Sequence, residues 1–239
     1  KNTGLDHRLD EDEPFSYYID KVYYALYRIG ETKPFCVQHL YAPEEEEKVH
    51  TVEFPQDLPF GSYAMVVWAN IDEETGLEDA GASDTYRLHG EHWEGYDVYM
   101  ACDTLHYNER QANFLLPLER VKGKLLITAE GMPETIQLSY KEVDNLYQEV
   151  DHFWQYSGKE KVRTLHRWGN GMRNLFTDTY LAPTLEHQQS EVRVHFVQDE
   201  ESDLPLLDPA TVQTNMKRNS ITVLRYVYDK EDHNFDIYL

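Results

Sequence analysis

Nowhere in the 239 residues does an apolar run approach the roughly 18 residues that a membrane-spanning helix needs. Any membrane attachment is therefore expected from outside the folded body, for instance from a lipid. Positive charge is scarce as well. Lys plus Arg number 22 against 44 Asp plus Glu, a formal charge of -22 at pH 7, and phosphate binding needs a local cation excess. Nucleic acid is thus not an expected partner. Cysteine is nearly absent: Cys36 and Cys102 stand far apart and outside any metal-ligand spacing, which leaves one disulfide or two buried thiols as open alternatives. The chain opens at Lys1 without Met or a leader segment, as expected of a mature or trimmed protein.

Catalytic signatures are missing too. There is no G-x-S-x-G elbow, neither cysteine lies in a protease signature, and Ser157-Gly158-Lys159-Glu160 lacks the upstream glycine and following hydroxyl of a phosphate loop. The most site-like cluster is His89, Glu91, His92, Trp93 and Glu94. Zincin chemistry needs histidines four apart on one helical face. Here they are three apart in a glycine-containing, strand-poor stretch, so a surface loop without metal is expected. Asp72, Glu73, Glu74, Glu78, Asp79 and Asp84 offer oxygen ligands suited to calcium, but without the spacing or glycine of an EF-hand, and read as a solvated loop. Carboxylates are too numerous to single out a glycosidase pair. Trp68, Trp93, Trp154 and Trp168 are expected in core or edge packing rather than sugar stacking. No catalytic residue, cofactor or metal is predicted.

What the chain does have is aromatic content, 13% with 18 Tyr, and 41% apolar residues broken into short runs, a pattern that favours strands. Residues 1–16, with Asp10, Glu11, Asp12 and Glu13 before Pro14, read as an acidic arm. Strands are expected at Tyr17 to Ile29, Phe35 to Tyr41, His50 to Phe54 and Ser62 to Asn70. Glu44 to Glu47 form a solvated connection, since adjacent carboxylates repel in any dry site. In Tyr63 to Trp68 both alternating sets are apolar, which predicts an interior strand. Further strands are expected at Asp97 to Met100, Thr104 to Tyr107 and Ala112 to Leu116. A second unit opens near Leu118 to Val121, with strands at Val121 to Ala129, Thr135 to Tyr140, Lys161 to Trp168, Leu175 to Tyr180, Val192 to Val197, Ser220 to Tyr228 and Phe235 to Leu239. Within Lys141 to Tyr156, Val143, Leu146, Tyr147 and Val150 have helical spacing, and a short helix or irregular crossover is expected. Short strands without intervening regular helices predict an all-β protein of two β-sandwich domains, residues 17–119 and 120–239.

The run Leu58-Pro59-Phe60-Gly61-Ser62-Tyr63-Ala64-Met65-Val66-Val67-Trp68-Ala69-Asn70 resembles the fimbrillin-associated anchor proteins of Bacteroidetes, the Mfa2 and FimB group, in which a proline and glycine turn leads into an apolar strand ending near Trp and Asn. Asp103 to Tyr107, Leu118 to Gly131, and Lys217 to Tyr228 with Arg218 and Asn219 fit the same resemblance, from about Asp20 to the C-terminus. It implies two transthyretin-like β-sandwich domains in a non-catalytic lipoprotein of the outer membrane. Such a protein anchors a fimbrial shaft and influences its length, with fimbrial shaft or accessory subunits as partners. The lipid-bearing cysteine would lie before Lys1. A secreted or surface glycan-binding adhesive sandwich is the alternative expectation.

Overall fold

The computed structural model describes residues 13–41, 48–71, 85–169, 171–198 and 207–239. The fold is all-β: among these residues it has sixteen strands, one helical turn α1 (Phe15–Tyr18) and a 3-10 turn at Gly90–His92. The chain forms two compact units. The described residues up to Arg87, with Tyr96–Val121 and Val150–Tyr156, make the first; Leu88–Gly95, Lys122–Glu149 and Ser157–Leu239 make the second. The main changeover falls between Val121 and Lys122, at the end of the expected Leu118 to Val121 region. Two short excursions cross it, so the units are not the contiguous blocks 17–119 and 120–239.

In the first unit β1 (Lys21–Arg28), β2 (Pro34–Tyr41), β3 (Gly61–Ala69), β5 (Tyr99–Tyr107) and β6 (Glu119–Arg120) form an antiparallel sheet in the order β2-β1-β3-β5-β6. β3 is therefore interior, as its two apolar sets predict. One face carries Val22, Tyr24, Leu26, Tyr63, Met65, Val67, Ala101 and Leu105. The other carries Tyr23, Ala25, Val66, Met100 and the wholly enclosed Trp68, whose ring lies 5.8 Å from that of Tyr86 on β4 (Thr85–Arg87). β4 forms a small sheet with β9 (Glu149–Asp151) and β10 (Tyr156–Ser157), in the order β10-β9-β4.

Two expected strands are not strands. His50 to Phe54 and Ala112 to Leu116 are extended coil whose Val52, Phe54, Phe114 and Leu116 pack against the Val67 face of the sheet. Their apolar alternation reflects burial of one side of a chain that pairs with no strand. Asp97 to Met100 and Thr104 to Tyr107 belong largely to one continuous strand, β5. Phe15, within the expected arm, stacks on His50 at 5.6 Å and joins the same core, so the arm is held at its end. Asp10, Glu11 and Asp12, the Glu44 to Glu47 connection and the Asp72 to Asp84 loop lie outside the described residues.

Asn70 closes β3. Its φ of 58° is the left-handed conformation that Asn tolerates better than most residues. The side-chain Oδ1 accepts from Asp20 N at 2.8 Å, while Nδ2 donates to Tyr18 O at 2.7 Å and Asp97 O at 3.0 Å.

The second unit is a sandwich of two four-stranded sheets. One runs β11 (Glu160–Arg167), β8 (Ile136–Leu146), β13 (Ser190–Gln198), β14 (Val212–Thr214); the other runs β12 (Leu175–Leu181), β7 (Gly123–Glu130), β15 (Ile221–Asp229), β16 (Asn234–Tyr238). β7 alternates buried and half-buried residues along its length, with Leu125, Ile127 and Ala129 inward. β15 pairs with β7 in parallel, and the other described pairings in this unit are antiparallel. Phe196 of β13 joins the sheets, 6.3 Å from the Tyr226 ring and 5.7 Å from that of Phe235.

The helical spacing after Lys141 has a strand explanation. Val143 pairs with Val162 and Leu146 with Glu160, so three residues of β8 span two of β11, and Asn145 within this bulge has φ 60°. A bulge adds one residue to a period of two, which gives two buried residues three apart. The expected short helix or crossover is instead the end of β8 followed by β9.

Candidate functional site

β11 and β12 are the outer strands of their sheets and lie on the same side of the second unit's sandwich, where the layers part into a cleft. Thr164, His166 and Trp168 line it from β11 and its end, Leu175 and Thr177 from β12, and Ser139 and Lys141 from β8 behind. The enclosed space is about 20 Å³, room for one water. The indole N–H of Trp168 donates to Ser139 Oγ at 3.1 Å, and the His166 ring lies 4.2 Å from Trp168. These contacts fix the cleft's rim on two strands rather than on a loop.

Lys141 is the chemically unusual group. β8 turns it inward between Ser139 and Val143, it is 7% exposed, and its Nζ donates to Thr179 Oγ1 of β12. Burial pushes its pKa down from 10.5 to about 8, an effect that the charges of Glu94 and Asp178 oppose in part. Asp178 is committed elsewhere: its carboxylate pairs with Lys124 Nζ at 2.8 Å. Among the described residues no carboxylate is within ion-pair distance of Lys141. A buried ammonium without a counter-ion costs folding free energy, and such groups in clefts mark candidate sites. The arrangement can donate hydrogen bonds and attract a carboxylate. Sequence inspection missed it because Lys141 stood at the start of the stretch read as helical, and its partner Thr179 is 38 residues away.

The solvent face of the same sheet is a lattice of charge. Glu142 on β8 meets Lys161 at 2.8 Å and Arg163 at 2.8 Å, and Asp144 meets Arg193 of β13 at 2.8 Å. Hydrogen bonding from Lys161 leads the effects that hold the Glu142 carboxyl below its usual range.

The His89 cluster is not the expected surface loop throughout. His89 is fully buried: its Nδ1 faces Trp93 O at 2.9 Å and Glu94 O at 3.1 Å, and its Nε2 accepts from Ala182 N at 3.0 Å. Desolvation, with a smaller effect of Lys122, drives its pKa well down, so the ring is neutral. Its bonding is that of a structural plug. His92 turns away to Glu160 Oε1 at 2.6 Å. No group of three or more metal-ligating side chains occurs among the described residues. Trp68 is core, Trp168 braces the cleft, Trp154 occupies a left-handed turn position, and Trp93 is exposed, unlike the expected packing.

Cys36 and Cys102 are free and half-buried. Cys36 pairs in register with Leu26 and Cys102 with Val66, so they occupy opposite faces of the sheet with β1 and β3 between their strands. The disulfide alternative therefore fails on distance.

No family model matches the sequence, and no curated relative matches it. Solved structures do share its fold. A candidate adhesin from Bacteroides thetaiotaomicron aligns at TM-score 0.66 and 10% identity over 94% of this chain and 89% of its own. A candidate polysaccharide-binding protein from the same species aligns at 0.55 and 11% over 89% and 84%. The fimbrial anchor protein Mfa2 from Porphyromonas gingivalis aligns at 0.53 and 10% over 94% and 88%. The resemblance to fimbrillin-associated anchors read from the sequence is thus met at the level of the fold.

Proposed function

We propose that the chain is a non-catalytic surface protein of a fimbrial system. It holds a shaft or accessory subunit and influences fibre length while a lipid at its N-terminal side keeps it at the outer membrane. The observation that carries this reading is the fold shared with the anchor Mfa2 along 94% of the chain. Open sheet edges supply the physical means of holding a subunit, because β2 in the first unit and β11 and β12 in the second each pair on one side only among the described residues. Such edges present unpaired N–H and C=O groups that another chain can satisfy. A single acyl chain gives only marginal membrane retention, so a durable anchor needs several.

The test is the share of fimbrial subunit in the cell-bound and culture-fluid pools of the native organism, with pull-down of subunits by the full-length protein. Deleting the gene should increase shedding or alter fibre length, and a version lacking the lipidation signal should not restore retention. Unchanged retention and length, with no subunit associated, rejects the anchor reading.

A second reading, glycan binding, draws on the similarity to the candidate polysaccharide-binding protein and on exposed aromatics such as Trp93 and Tyr96. It requires saturable binding of a saccharide by the isolated protein.

A further inference from the structure

β11 reverses the charge of the molecule. In a chain carrying -22, its eight residues hold Lys161, Arg163 and Arg167 against one acid, Glu160. Strand alternation places the three cations on the solvent face, and Thr164 and His166 on the cleft face. Lys161 pairs with Glu142 and Asp144, Arg163 with Glu142, and Arg167 is engaged as well, yet Arg163 remains two-thirds exposed at 67%. The other edge of the cleft is unlike it: β12 carries Asp178 and no cation of its own. β2 carries no acidic or basic residue except a histidine. Of the edge strands β2, β11 and β12, β11 alone carries more cations than acids among its own residues.

We infer that β11 is the edge through which the second unit takes a strand from a partner protein, and that the strand is acidic on one face and small on the other. Carboxylates at every second position would lie beside Arg163 and Arg167. The alternate positions would turn toward the cleft, where the limited room admits small side chains. A second copy of this chain is the wrong occupant. Two β11 strands paired antiparallel about Thr164 would set Lys161 of each against Arg167 of the other, and like charges across a ladder repel. The inference rests on the reading that the protein holds a partner subunit, and it names the edge and the chemistry.

The probe is a short fluorescent peptide alternating glutamate and valine, with a lysine–valine peptide and a proline-interrupted glutamate–valine peptide as controls. Saturable anisotropy is expected for the first alone, weakened by salt and by at least about tenfold in the Arg163→Glu/Arg167→Glu double variant. Hydrogen exchange should slow at residues 162–167. Equal binding of the lysine peptide, an unchanged double variant, protection at β2 or β12 instead, no binding, or self-association through β11 would each overturn the inference. Thermal unfolding checks that the double variant is folded, and Arg163→Gln/Arg167→Gln should give an intermediate loss. Pull-down of fimbrial subunits separates the two readings. If wild type and the double variant capture subunits equally, β11 is not the edge while the anchor reading stands. If neither captures them but the glutamate peptide binds at β11, the anchor reading falls and the acidic-strand edge remains.

Discussion

In the first unit β3 buries apolar side chains on both faces, Val67 on one and Trp68 on the other, whereas β8 of the second unit carries the charge lattice of Glu142 and Asp144 on one face and a lysine inside the other. Both are interior strands. The first is dry because coil covers one face and β4 packs on the other; the second has a wet face and an interior that opens between β11 and β12. Interior position in a sheet therefore does not by itself mean an apolar surroundings on both sides. A strand's chemistry follows what covers each face.

The largest effect should come from wetting the dry sheet. Val67→Asp places a carboxylate among Tyr24, Met65 and Ala101, and should cost more than about 3 kcal/mol in chemical denaturation of the first unit, with the carboxyl neutral or the unit open. A loss below about 0.5 kcal/mol would mean that this face is solvated. Polar chemistry enters the first sheet at its margin. Asn70→Ala removes the hydrogen bonds to Tyr18, Asp20 and Asp97 and strains a left-handed backbone, so a loss of about 2 kcal/mol is expected, with Asn70→Gly recovering only the strain.

The comparison sharpens if β8 is made to resemble β3. Lys141→Met should stabilise the second unit at neutral pH by about 1–3 kcal/mol, since it removes a buried charge while keeping volume. In the wild type the unfolded lysine holds its proton up to 10.5 and the folded one only to about 8. Unfolding therefore takes up a proton between those values, and stability contributed by this group rises with pH across that window. Tyr24 acts in the opposite sense above pH 10, because burial raises its folded pKa to about 12 and its stabilisation is lost as pH climbs through that value. The slope is best read by hydrogen exchange between pH 8 and 10. An unchanged slope in Lys141→Met would mean another group carries it.

The smallest effect belongs to the wet face. Glu142→Gln should cost about 1 kcal/mol or less, diminished by salt, because exposed ion pairs are weak even in a lattice. The folded Glu142 pKa is depressed, so this stabilisation is present above the ordinary carboxylate range and is lost as pH falls through the lower folded value.

Most of the strands were legible because they announce themselves by alternation, as β3 and β7 do. Val52, Phe54, Phe114 and Leu116 alternate as well, and periodicity alone does not tell a paired strand from extended coil pressed on a sheet. The bulge at Asn145 counterfeited a helix by changing a spacing of two into three. The short β4 and β14 are too brief to carry a period. Of the candidate cleft little was visible: the positive run of β11 is in the sequence, but its position at a sheet edge, and the meeting of Lys141 with Thr179, depend on pairings between distant segments. His89 was misplaced for the same reason, since its enclosing partner Ala182 comes 93 residues later.

That long return has a consequence for biosynthesis. As the polypeptide leaves the ribosome, the first unit is complete in sequence only when Val150–Tyr156 has emerged, and until then Val121 O lacks the Tyr156 hydroxyl that donates to it at 2.7 Å. By that time Leu88–Gly95 has long been made and still awaits Ala182, just beyond β12, whose N–H donates to His89. The nascent chain must therefore carry an unburied histidine loop through much of synthesis. Neither unit can be finished strictly in the order of translation, so folding of each waits on segments made after the other has begun.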